Sequence, residues 1–375
     1  MEQFLDKSKC SGCSACMSIC PKGAIEMVED LDGFKYPVIN QDKCINCGLC
    51  KKTCPIINTS SSDSINECYV GFNNDKESLI NMASSGSIFE LVADYVLDLG
   101  GIVVGAAFEN NKLKHIAIEE KKDLVSLKGS KYVQSDLNNI FKYIKENIND
   151  RKILFVGTPC QVAGLKSIVR SNNLICVDIV CHGVPTPKLF DKYIKYLEDK
   201  NNSSVVNYNF RDKKTGWDTY SNTIVYKDKS ESQIYYKNDY MKLFLSNIAL
   251  RESCYDCNFK LGNKYSDITL GDFWGVKNIY PEMYNKNGVS AIIINTLLGR
   301  EVFNSILSNV TYKKCNLDDI LKCNSSLEKS CCLPKNRKDF FEDLNNVSFD
   351  VLSKKYIIKK GFLKKIISKL KIIFK

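Results

Sequence analysis

The sequence predicts a mixed fold, α+β and α/β, with a small cysteine-rich domain, a larger α/β domain and a basic amphipathic C-terminal helix. Three observations lead to this prediction: a four-cysteine run that occurs twice, a long stretch of alternating helix and strand patterns, and a lysine-rich end. A polar, Ser-rich stretch over residues 58–64 is typical of a linker. The predicted domains are residues 1–58 and 67–350, followed by a tail of residues 351–375.

Apart from its cysteines, the composition is that of an ordinary soluble globular protein. Of the 375 residues, 44% are hydrophobic and 26% are charged, and we expect no membrane-spanning helix because no apolar run is long enough. The N-terminus lacks the basic and apolar regions of a secretory signal. Eighteen cysteines without such a signal favour metal or redox chemistry in a reducing cytoplasm over disulfide bonds.

The positive charge is concentrated at the C-terminus. The net charge is +10, but residues 351–375 contain nine lysines and no acid, which leaves +1 for the first 350 residues. A nucleic-acid-binding protein needs a basic face on the fold itself, so we expect no nucleic-acid partner. Because there are only two histidines, His-rich metal sites and HExxH hydrolases are excluded as well.

The strongest motif is a run of four cysteines that occurs twice in the first domain. Cys10-x2-Cys13-x2-Cys16-x3-Cys20-Pro21 is repeated as Cys44-x2-Cys47-x2-Cys50-x3-Cys54-Pro55. This is the spacing of two-cluster bacterial ferredoxins, in which the fourth cysteine of each run binds the other run's [4Fe-4S] cluster. Cluster one is therefore assigned to Cys10, Cys13, Cys16 and Cys54, and cluster two to Cys44, Cys47, Cys50 and Cys20. A pair of zinc sites is the alternative, but such sites usually use two CxxC pairs.

Helical and extended patterns alternate through the second domain. The sequence predicts helices at 88–99, 137–148 and 161–170, and buried strands at 102–108, 152–156 and 174–180. This alternation is typical of an α/β domain with a mostly parallel sheet. The aromatic segment 205–236 is β-like, and we expect it to form a hairpin inserted on that sheet.

Four further cysteines make up a candidate third site with all-cysteine ligation. Cys160 stands in a turn between a strand and a helix, where free N–H groups and the helix dipole favour a phosphate or a thiolate. Cys181 follows the next strand, and open α/β sheets bind ligands at this carboxyl edge. The lone pair Cys254-x2-Cys257 supplies the other two thiols.

Several blocks within residues 84–350 resemble the beta subunit family of coenzyme F420 hydrogenases and dehydrogenases. In chain order they are Ser84-Ser85-Gly86, Lys128 to Gln134, Gly157 to Gln161, Cys181-His182-Gly183, Phe210 to Trp217, Cys254-x2-Cys257 and Asp267 to Gly275. The resemblance implies FAD bound without a GxGxxG motif and a [4Fe-4S] cluster beside the flavin. A two-cluster ferredoxin domain in front of this module is a common fusion in the family.

The resemblance also implies roles for individual residues. The candidate ligands of a third [4Fe-4S] cluster are Cys160, Cys181, Cys254 and Cys257. Buried thiols, or Cys160 alone as a nucleophile, are the alternatives. The candidate FAD-binding residues are Ser84, Ser85, Gly86, Lys128, Ser130, Lys131, Tyr132, Gly157, Thr158, Asp272 and Trp274. For the lysines the alternative is a solvated loop, and for Asp272 and Trp274 it is core packing.

The histidines and the remaining cysteines give weaker signals. His182, beside a candidate ligand, is a catalytic candidate because an imidazole titrates near neutral pH, although such a residue is more often a hydrogen-bonded structural histidine. His115 is expected to be a strand residue without a role. No spacing assigns a role to the other cysteines, Cys68, Cys176, Cys315, Cys323, Cys331 and Cys332.

Apolar residues recur every four positions in the tail, and the lysines mostly take the other side of the predicted helix. The apolar positions are Ile358, Phe362, Ile366, Leu370 and Phe374. This pattern fits an interfacial membrane anchor, in which each basic residue contributes about 1 kcal/mol near an anionic leaflet. The alternative is a helix packed on the body or on a partner subunit. The expected location is the cytoplasm, with peripheral contact at the inner face of the membrane.

Together these expectations describe an iron–sulfur flavoprotein oxidoreductase that passes electrons between [4Fe-4S] clusters, FAD and a small organic acceptor. The resemblance implies coenzyme F420 as the acceptor and a ferredoxin or another redox protein as the partner. The Lys-, Asn- and Ile-rich composition is typical of low-GC bacteria, many of which lack that coenzyme. Another substrate, for example in surface-polysaccharide synthesis, therefore stays open. The alternative is a non-enzymatic electron-transfer subunit of a larger redox complex.

Overall fold

A computed structural model describes residues 5–58, 65–80, 82–261 and 265–357. The helices are α1 (Ala15–Ile19), α2 (Leu49–Lys52), α3 (Lys76–Ile80), α4 (Ile88–Asp98), α5 (Leu124–Leu127), α6 (Ile140–Asn147), α7 (Pro159–Lys166), α8 (Pro187–Asn201), α9 (Asp239–Leu245), α10 (Val276–Ile279), α11 (Leu297–Ile306), α12 (Leu317–Leu321), α13 (Arg337–Asn346) and α14 (Phe349–Tyr356). The strands are β1 (Ile25–Glu29), β2 (Lys35–Ile39), β3 (Glu67–Asn73), β4 (Ile102–Glu109), β5 (Lys112–Ile118), β6 (Ile153–Gly157), β7 (Leu174–Ile179), β8 (Val205–Asp212), β9 (Ser221–Tyr226), β10 (Ser230–Ile234), β11 (Ile268–Asp272), β12 (Ser290–Ile294) and β13 (Val310–Cys315).

The first domain consists of the β1–β2 hairpin and two short helices that begin within the cysteine runs. The hairpin strands pair antiparallel. Helix α1 follows Ser14 and α2 follows Gly48, and both of these residues have a left-handed backbone, with φ of 61° and 71°. Each of these turns reverses the chain between two neighbouring cysteines, which is the local geometry that a short x2 gap requires.

An eight-stranded sheet with the order β13-β3-β12-β11-β7-β6-β4-β5 forms the centre of the second domain. Its four central strands, β11, β7, β6 and β4, are parallel. Antiparallel strands extend the sheet on both sides, with β5 next to β4 and with β12, β3 and β13 beyond β11. The predicted parallel centre is confirmed. The antiparallel additions come mostly from segments outside the predicted helix–strand alternation.

Helices cover both faces of this sheet, because successive side chains of a strand point in opposite directions. On β4, Ile102 and Val104 pack with α6 and α7, whereas Val103 packs with α4 and α11. Both cores are built from buried aliphatic side chains. The carboxyl ends of β6, β7 and β11 therefore open at one edge, between the two helical layers.

The predicted elements agree with the structure except at some ends. Helix α6 begins at residue 140 and not at 137, since Asn138 adopts a left-handed backbone with φ of 42°. Helix α7 begins two residues earlier than predicted because Thr158 caps it and Pro159 occupies its first position. It ends at Lys166, four residues before the predicted end.

The prediction of a hairpin inserted on the main sheet is wrong. Residues 205–234 form a separate antiparallel sheet of three strands, in the order β10-β9-β8. Its aromatic side chains, including Tyr208, Phe210 and Tyr226, pack with α8 and α9 in a core of their own. Helices thus cover the aromatic face of this small sheet, so its side chains are buried although its strands do not pair with the main sheet.

The last described helix, α14, is packed on the body. Phe349, Leu352 and Tyr356 are buried in the same aromatic core. The predicted boundary at 350/351 therefore falls inside a helix, and the predicted amphipathic pattern of residues 358–374 lies outside the described residues. Within the described ranges, no helix is both long and apolar enough to cross a bilayer.

Candidate functional site

The two cysteine runs fold so that the fourth cysteine of each lies with the thiols of the other. Cys54 interacts electrostatically with Cys13 and Cys16, and Cys20 interacts with Cys50. This is the exchange of fourth ligands that the spacing predicts. Cys54 and Cys16 are buried, whereas Cys47 in the other group is exposed. The group assigned to cluster one thus faces the interior, and the group assigned to cluster two lies towards solvent.

No three His, Cys, Asp or Glu side chains in the described parts of the chain are arranged to hold a single metal ion. A [4Fe-4S] cluster makes a different demand, because its four thiolates bind four different iron atoms. The four thiols of each group therefore need to surround a cluster, and they need not converge on a single ion.

The four cysteines predicted for a third cluster line one cavity at the carboxyl edge of the parallel strands. Cys160 lies in the first turn of α7, directly after β6, and Cys181 comes two residues after β7. Cys254 ends a short 3₁₀ turn after α9, and Cys257 follows it. All four thiols interact electrostatically with one another. The structure brings them together, and the bound metal stays a prediction.

Burial sets the protonation of three of these thiols. It raises the pKa of Cys181 and of Cys254 to about 12, and that of Cys13 in the first domain to about 12. Burial also raises the pKa of Cys160, although a hydrogen bond with Thr158 opposes the shift. The thiols of Cys13, Cys160, Cys181 and Cys254 are therefore neutral near pH 7, and iron that binds to them displaces protons.

Cluster-one residues lie directly beside this third site. Cys13 and Cys160 interact electrostatically. A β-carbon on Gly164 of α7 would stand 2.9 Å from Sγ of Cys13 and 2.8 Å from its Cβ. Helix α7 can approach the first domain this closely because residue 164 has no side chain.

A buried arginine fastens the cluster-one loop to the second domain. Arg251 is 1% exposed, and its Nε donates a hydrogen bond to the carbonyl oxygen of Cys10 at 2.7 Å. Its two Nη atoms donate to the carbonyl oxygen of Lys35 at 3.0 Å and to Oε1 of Gln134 at 3.1 Å. The guanidinium lies over the ring of Tyr36, 4.2 Å from the centroid. Sequence reasoning missed Arg251, because its partners are distant in the chain.

His182 lines the same cavity, with one ring nitrogen already engaged. Its Nε2 lies 2.7 Å from Oδ1 of Asn247, and burial lowers the pKa of the imidazole. The ring is therefore neutral near pH 7, and Nε2–H is the donor to the amide oxygen. Cys331 donates to the carbonyl oxygen of His182 at 2.7 Å. These contacts fit a structural histidine, and the catalytic role stays a prediction.

The loop Ser84-Ser85-Gly86 is packed against the sheet and against the candidate segment around Ser130. Oγ of Ser84 accepts a hydrogen bond from the backbone N–H of Ser130 at 2.6 Å. The backbone N–H of Gly86 donates to Oγ of Ser290 at 2.9 Å. A β-carbon on Gly86 would lie 2.6 Å from the carbonyl oxygen of Gly71, so this glycine permits a close approach of backbones.

Beside this loop, an arginine–aspartate pair assembles the aromatic candidates. Both Nη atoms of Arg211 lie 3.0 Å from the carboxylate of Asp272, at the end of β11. Arg211 also donates to the hydroxyl of Tyr132 at 3.1 Å. The indole N–H of Trp217 donates to Asp272 at 2.6 Å, and its ring stacks on Trp274 with centroids 5.1 Å apart. Arg211 and Trp217 belong to a block that carries the resemblance but were not predicted to bind a cofactor.

Two lysines near this loop are half-buried and form no ion pair with a carboxylate among the described residues. Nζ of Lys213 donates to the carbonyl oxygens of Leu79 at 2.7 Å and Ser85 at 2.9 Å. Burial, and then the nearby Arg211, lowers the pKa of Lys213 to about 7. Burial likewise lowers the pKa of Lys131 to about 7. Such positions favour an anionic ligand, because it would supply the missing negative charge.

The other candidate lysine already has a partner. Lys128 and Glu90 form an ion pair at 2.9 Å, and both side chains are largely buried. Lys128 is nevertheless close enough to Lys213 to affect its pKa. The loop therefore lies near Lys128, Lys213 and Arg211. Lys128 and Arg211 are paired with carboxylates, whereas Lys213 forms no ion pair within the part of the chain that the structure describes.

Gly157 and Thr158 lie at the third cysteine site. Oγ1 of Thr158 is 3.1 Å from Sγ of Cys160, and its backbone N–H donates to Oε1 of Gln161 at 2.9 Å. The side chain of Gln161 donates in turn to Ser135 at 2.9 Å. Segment 130–135 thus contacts Ser84 at one end and the third site at the other, so the two groups of FAD candidates are neighbours.

The remaining predictions concern single residues. His115 lies in β5, as expected, with Nε2 3.1 Å from the carbonyl oxygen of Val156 and with its pKa lowered to about 4 by burial. Cys68 and Cys315 face each other across β3 and β13, and Cys176 is buried on β7. None of these cysteines joins the three groups described above.

The fold and the cysteine groups define an iron–sulfur protein of the redox class. Residues 9–56 match the 4Fe-4S dicluster domain, and residues 150–319 match the C-terminal part of the coenzyme F420 hydrogenase/dehydrogenase beta subunit. The chain therefore combines these two modules, and the resemblance described above is confirmed.

Comparison with whole proteins finds only a distant similarity. A chain from the xenon-derivatized F420-reducing [NiFe] hydrogenase complex of Methanosarcina barkeri is 18% identical, with a TM-score of 0.49. The similarity covers 75% of this chain and 93% of that one. None of the curated proteins matches the chain.

Proposed function

We propose that this chain is an iron–sulfur flavoprotein oxidoreductase with three [4Fe-4S] clusters and one FAD. The observation that carries the proposal is the cavity lined by Cys160, Cys181, Cys254 and Cys257 beside Cys13. A dicluster domain and a four-cysteine cavity in contact are a sensible arrangement for passing electrons from one to the other. When bound, the clusters exchange single electrons and the flavin exchanges one or two.

The chain's own residues would hold these groups and shield them from water. Twelve cysteines would supply the thiolates, of which three in the cluster-one group are buried and the four of the third group are partly buried. Their position would limit the access of solvent to these two inner clusters. Arg251 holds the Cys10 loop on the second domain, and Thr158 places its hydroxyl at Cys160. Both contacts limit how far the two cysteine groups can move apart.

The support for FAD is electrostatic. Lys213 and Lys131 are half-buried lysines that interact with backbone carbonyl oxygens, and the pKa of each is lowered to about 7. A pyrophosphate near Ser84–Gly86 would restore a favourable environment for their charge. Asp272, Trp274 and Tyr132, assembled by Arg211, are then candidates for contacts with the flavin ring.

The substrate is a small organic acceptor. The family match favours coenzyme F420, and a sugar or nucleotide sugar of surface-polysaccharide synthesis is the acceptor proposed for an organism without that coenzyme. Reaction with the isolated chain distinguishes this function from the alternative, a non-enzymatic electron-transfer subunit. The alternative is supported by the matched family, which is described as a beta subunit.

A ferredoxin or another redox protein is the proposed partner, and the cytoplasm the proposed location, because free thiols are kept reduced there. His182 is proposed as a proton donor only if its bond to Asn247 breaks during turnover. Contact of the tail with an anionic membrane surface is a further part of the proposal.

The test compares Cys160→Ser and Cys254→Ser with Cys332→Ser, an exposed cysteine outside the three groups. Proteins purified without oxygen are analysed for iron, sulfide and flavin. Each of the first two variants should lose about four irons of the twelve expected, while the control keeps all of them. Unchanged iron in the first two variants would show that these cysteines do not hold a cluster.

A further inference from the structure

The lysines of the first domain fall into two groups that differ in their partners. Those that face the second domain, or lie near it, are paired with carboxylates. Lys7 pairs with Asp30 at 3.0 Å, and Lys35 pairs with Asp136 of the second domain at 2.5 Å. Lys9 forms an ion pair with Asp256, also in the second domain. The charges of these three lysines are therefore balanced by acids of the same chain.

The lysines of the second group lie beside the cysteines assigned to cluster two and are not paired with carboxylates of the described residues. It consists of Lys22, Lys43, Lys51 and Lys52, which are all exposed. Lys43 directly precedes Cys44, Lys51 directly follows Cys50, and Lys22 comes two residues after Cys20. None of the four forms an ion pair with another described residue. The acids nearest to them in the sequence are the exposed Asp42, beside Lys43, and the exposed Glu26, four residues after Lys22.

Exposed apolar side chains lie between these lysines. Ile45 is 57% exposed and Leu49 is 37% exposed, and they stand on either side of the exposed Cys47. An apolar centre with a charged rim is the usual composition of a protein-binding surface. We name this surface, formed by Lys22, Lys43, Ile45, Leu49, Lys51 and Lys52, the cluster-two face.

We propose that the cluster-two face is the docking surface for an acidic one-electron carrier protein. The inference rests on the proposed function, since it takes the neighbouring cysteines as ligands of a cluster. Three of the cluster-one cysteines are buried, so a protein partner can come closest to cluster two. On transfer, the carrier loses one electron and the chain gains one, and no bond forms or breaks.

Charge explains the choice of partner. Four lysines that form no ion pair with a described residue outnumber the two nearby acids, Asp42 and Glu26, and give this face a positive potential. This potential attracts an acidic surface and orients it before contact. Because the lysines are exposed, the attraction is screened by salt over about 10 Å at 0.1 M. The rate of association should therefore fall as salt is added.

The test uses the full-length holoprotein and a chemically reduced acidic bacterial ferredoxin as the probe. Stopped-flow spectroscopy measures the reduction of the iron–sulfur centres in the wild type and in the double variant Lys22→Glu/Lys51→Glu. Lys76→Glu/Lys227→Glu is the matched control, because it makes the same change in net charge at exposed lysines of the second domain. Dithionite, which needs no docking surface, serves as the second reductant.

The double variant should accept electrons from the probe roughly tenfold more slowly at low salt, with a weaker salt dependence and an unchanged rate with dithionite. The control variant should behave like the wild type. Equal rates for the two variants would overturn the docking surface. Binding of the oxidised ferredoxin to the protein is measured separately. If the protein takes up no iron but still binds the ferredoxin through these lysines, the docking surface is retained and the proposed function is contradicted.

Discussion

Nε of Arg251 donates a hydrogen bond to the carbonyl oxygen of Cys10 at 2.7 Å. Arg251 itself stands three residues before Cys254 in the chain. One buried side chain thus touches the loop of cluster one and belongs to the segment that leads into the third cysteine site. The two groups of thiols are held in contact by this arginine and by the close approach of α7 to Cys13.

Replacement of Arg251 by Met should destabilise the protein and lower the reduction potential of cluster one. The carbonyl oxygens of Cys10 and Lys35 lose their donor, at about 1–3 kcal/mol for each buried group left unpaired. Loss of a positive charge beside an anionic cluster makes the cluster harder to reduce. Denaturant unfolding and an EPR-monitored redox titration measure the two effects.

Arg337→Met is the matched control. Arg337 also donates to a backbone oxygen, that of Leu250 at 3.0 Å, and lies over the ring of Phe341 at 4.3 Å. It makes no such contact with Cys10, so it should lower stability without shifting the potential of cluster one. Equal potentials in the two variants would show that Arg251 acts only on stability.

Gly164→Ala should separate the first domain from α7. The added methyl group would stand 2.9 Å from Sγ of Cys13, and buried overpacking of this kind costs about 1–3 kcal/mol. We expect loss of cluster-one iron or slower electron transfer to the flavin. Gly105→Ala is the control, because its nearest neighbour would be 3.5 Å away. If both variants behave alike, the approach of α7 to Cys13 is not a tight constraint.

FAD affinity should fall as the pH rises through about 7. In the protein without flavin, Lys213 has a pKa of about 7, so its positive charge is present below this pH and absent above it. An anionic pyrophosphate then loses up to about tenfold in affinity for each pH unit, until the pKa of the bound form is reached. Lys213→Met should flatten the profile measured by equilibrium dialysis, whereas the exposed Lys227→Met should not.

The same lysine predicts the pH dependence of stability without flavin. Its pKa is about 7 in the folded protein and ordinarily 10.5. Between these values the unfolded chain binds more protons, so the free energy of unfolding should increase as the pH rises from 7 to 10.5. Lys213→Met removes this contribution, and a slope equal to that of the wild type would contradict it.

Truncation after Ile357 should abolish binding to anionic vesicles while leaving the fold intact. The cut removes seven of the nine tail lysines and keeps α14, whose Leu352 and Tyr356 are buried. Sedimentation with anionic vesicles measures binding, and zwitterionic vesicles are the control. If the truncated and full-length proteins sediment equally, the lysines serve another partner.

The sequence predicted those parts of the site that depend on local spacing. The two cysteine runs, the turn before Cys160 and the position of Cys181 after a strand all follow from short-range patterns, and the structure brings these residues together. Parallel strands place their carboxyl ends at one edge, so the third group could be expected once β6 and β7 were recognised.

The parts that the sequence did not predict depend on contacts between distant segments. Arg251 is one of 53 basic residues, and nothing near it in the chain shows that Cys10 and Lys35 are its partners. Arg211 is joined to Asp272, 61 positions away, by packing of the small sheet. That sheet was itself assigned wrongly, because its aromatic residues do not show whether they face a sheet or helices.

The most direct test of the account is the cofactor content of protein purified without oxygen, as iron, sulfide and released flavin for each chain. Three clusters and a flavin predict about twelve irons and one FAD. About eight irons without flavin would contradict the account, since only the dicluster domain would then be loaded.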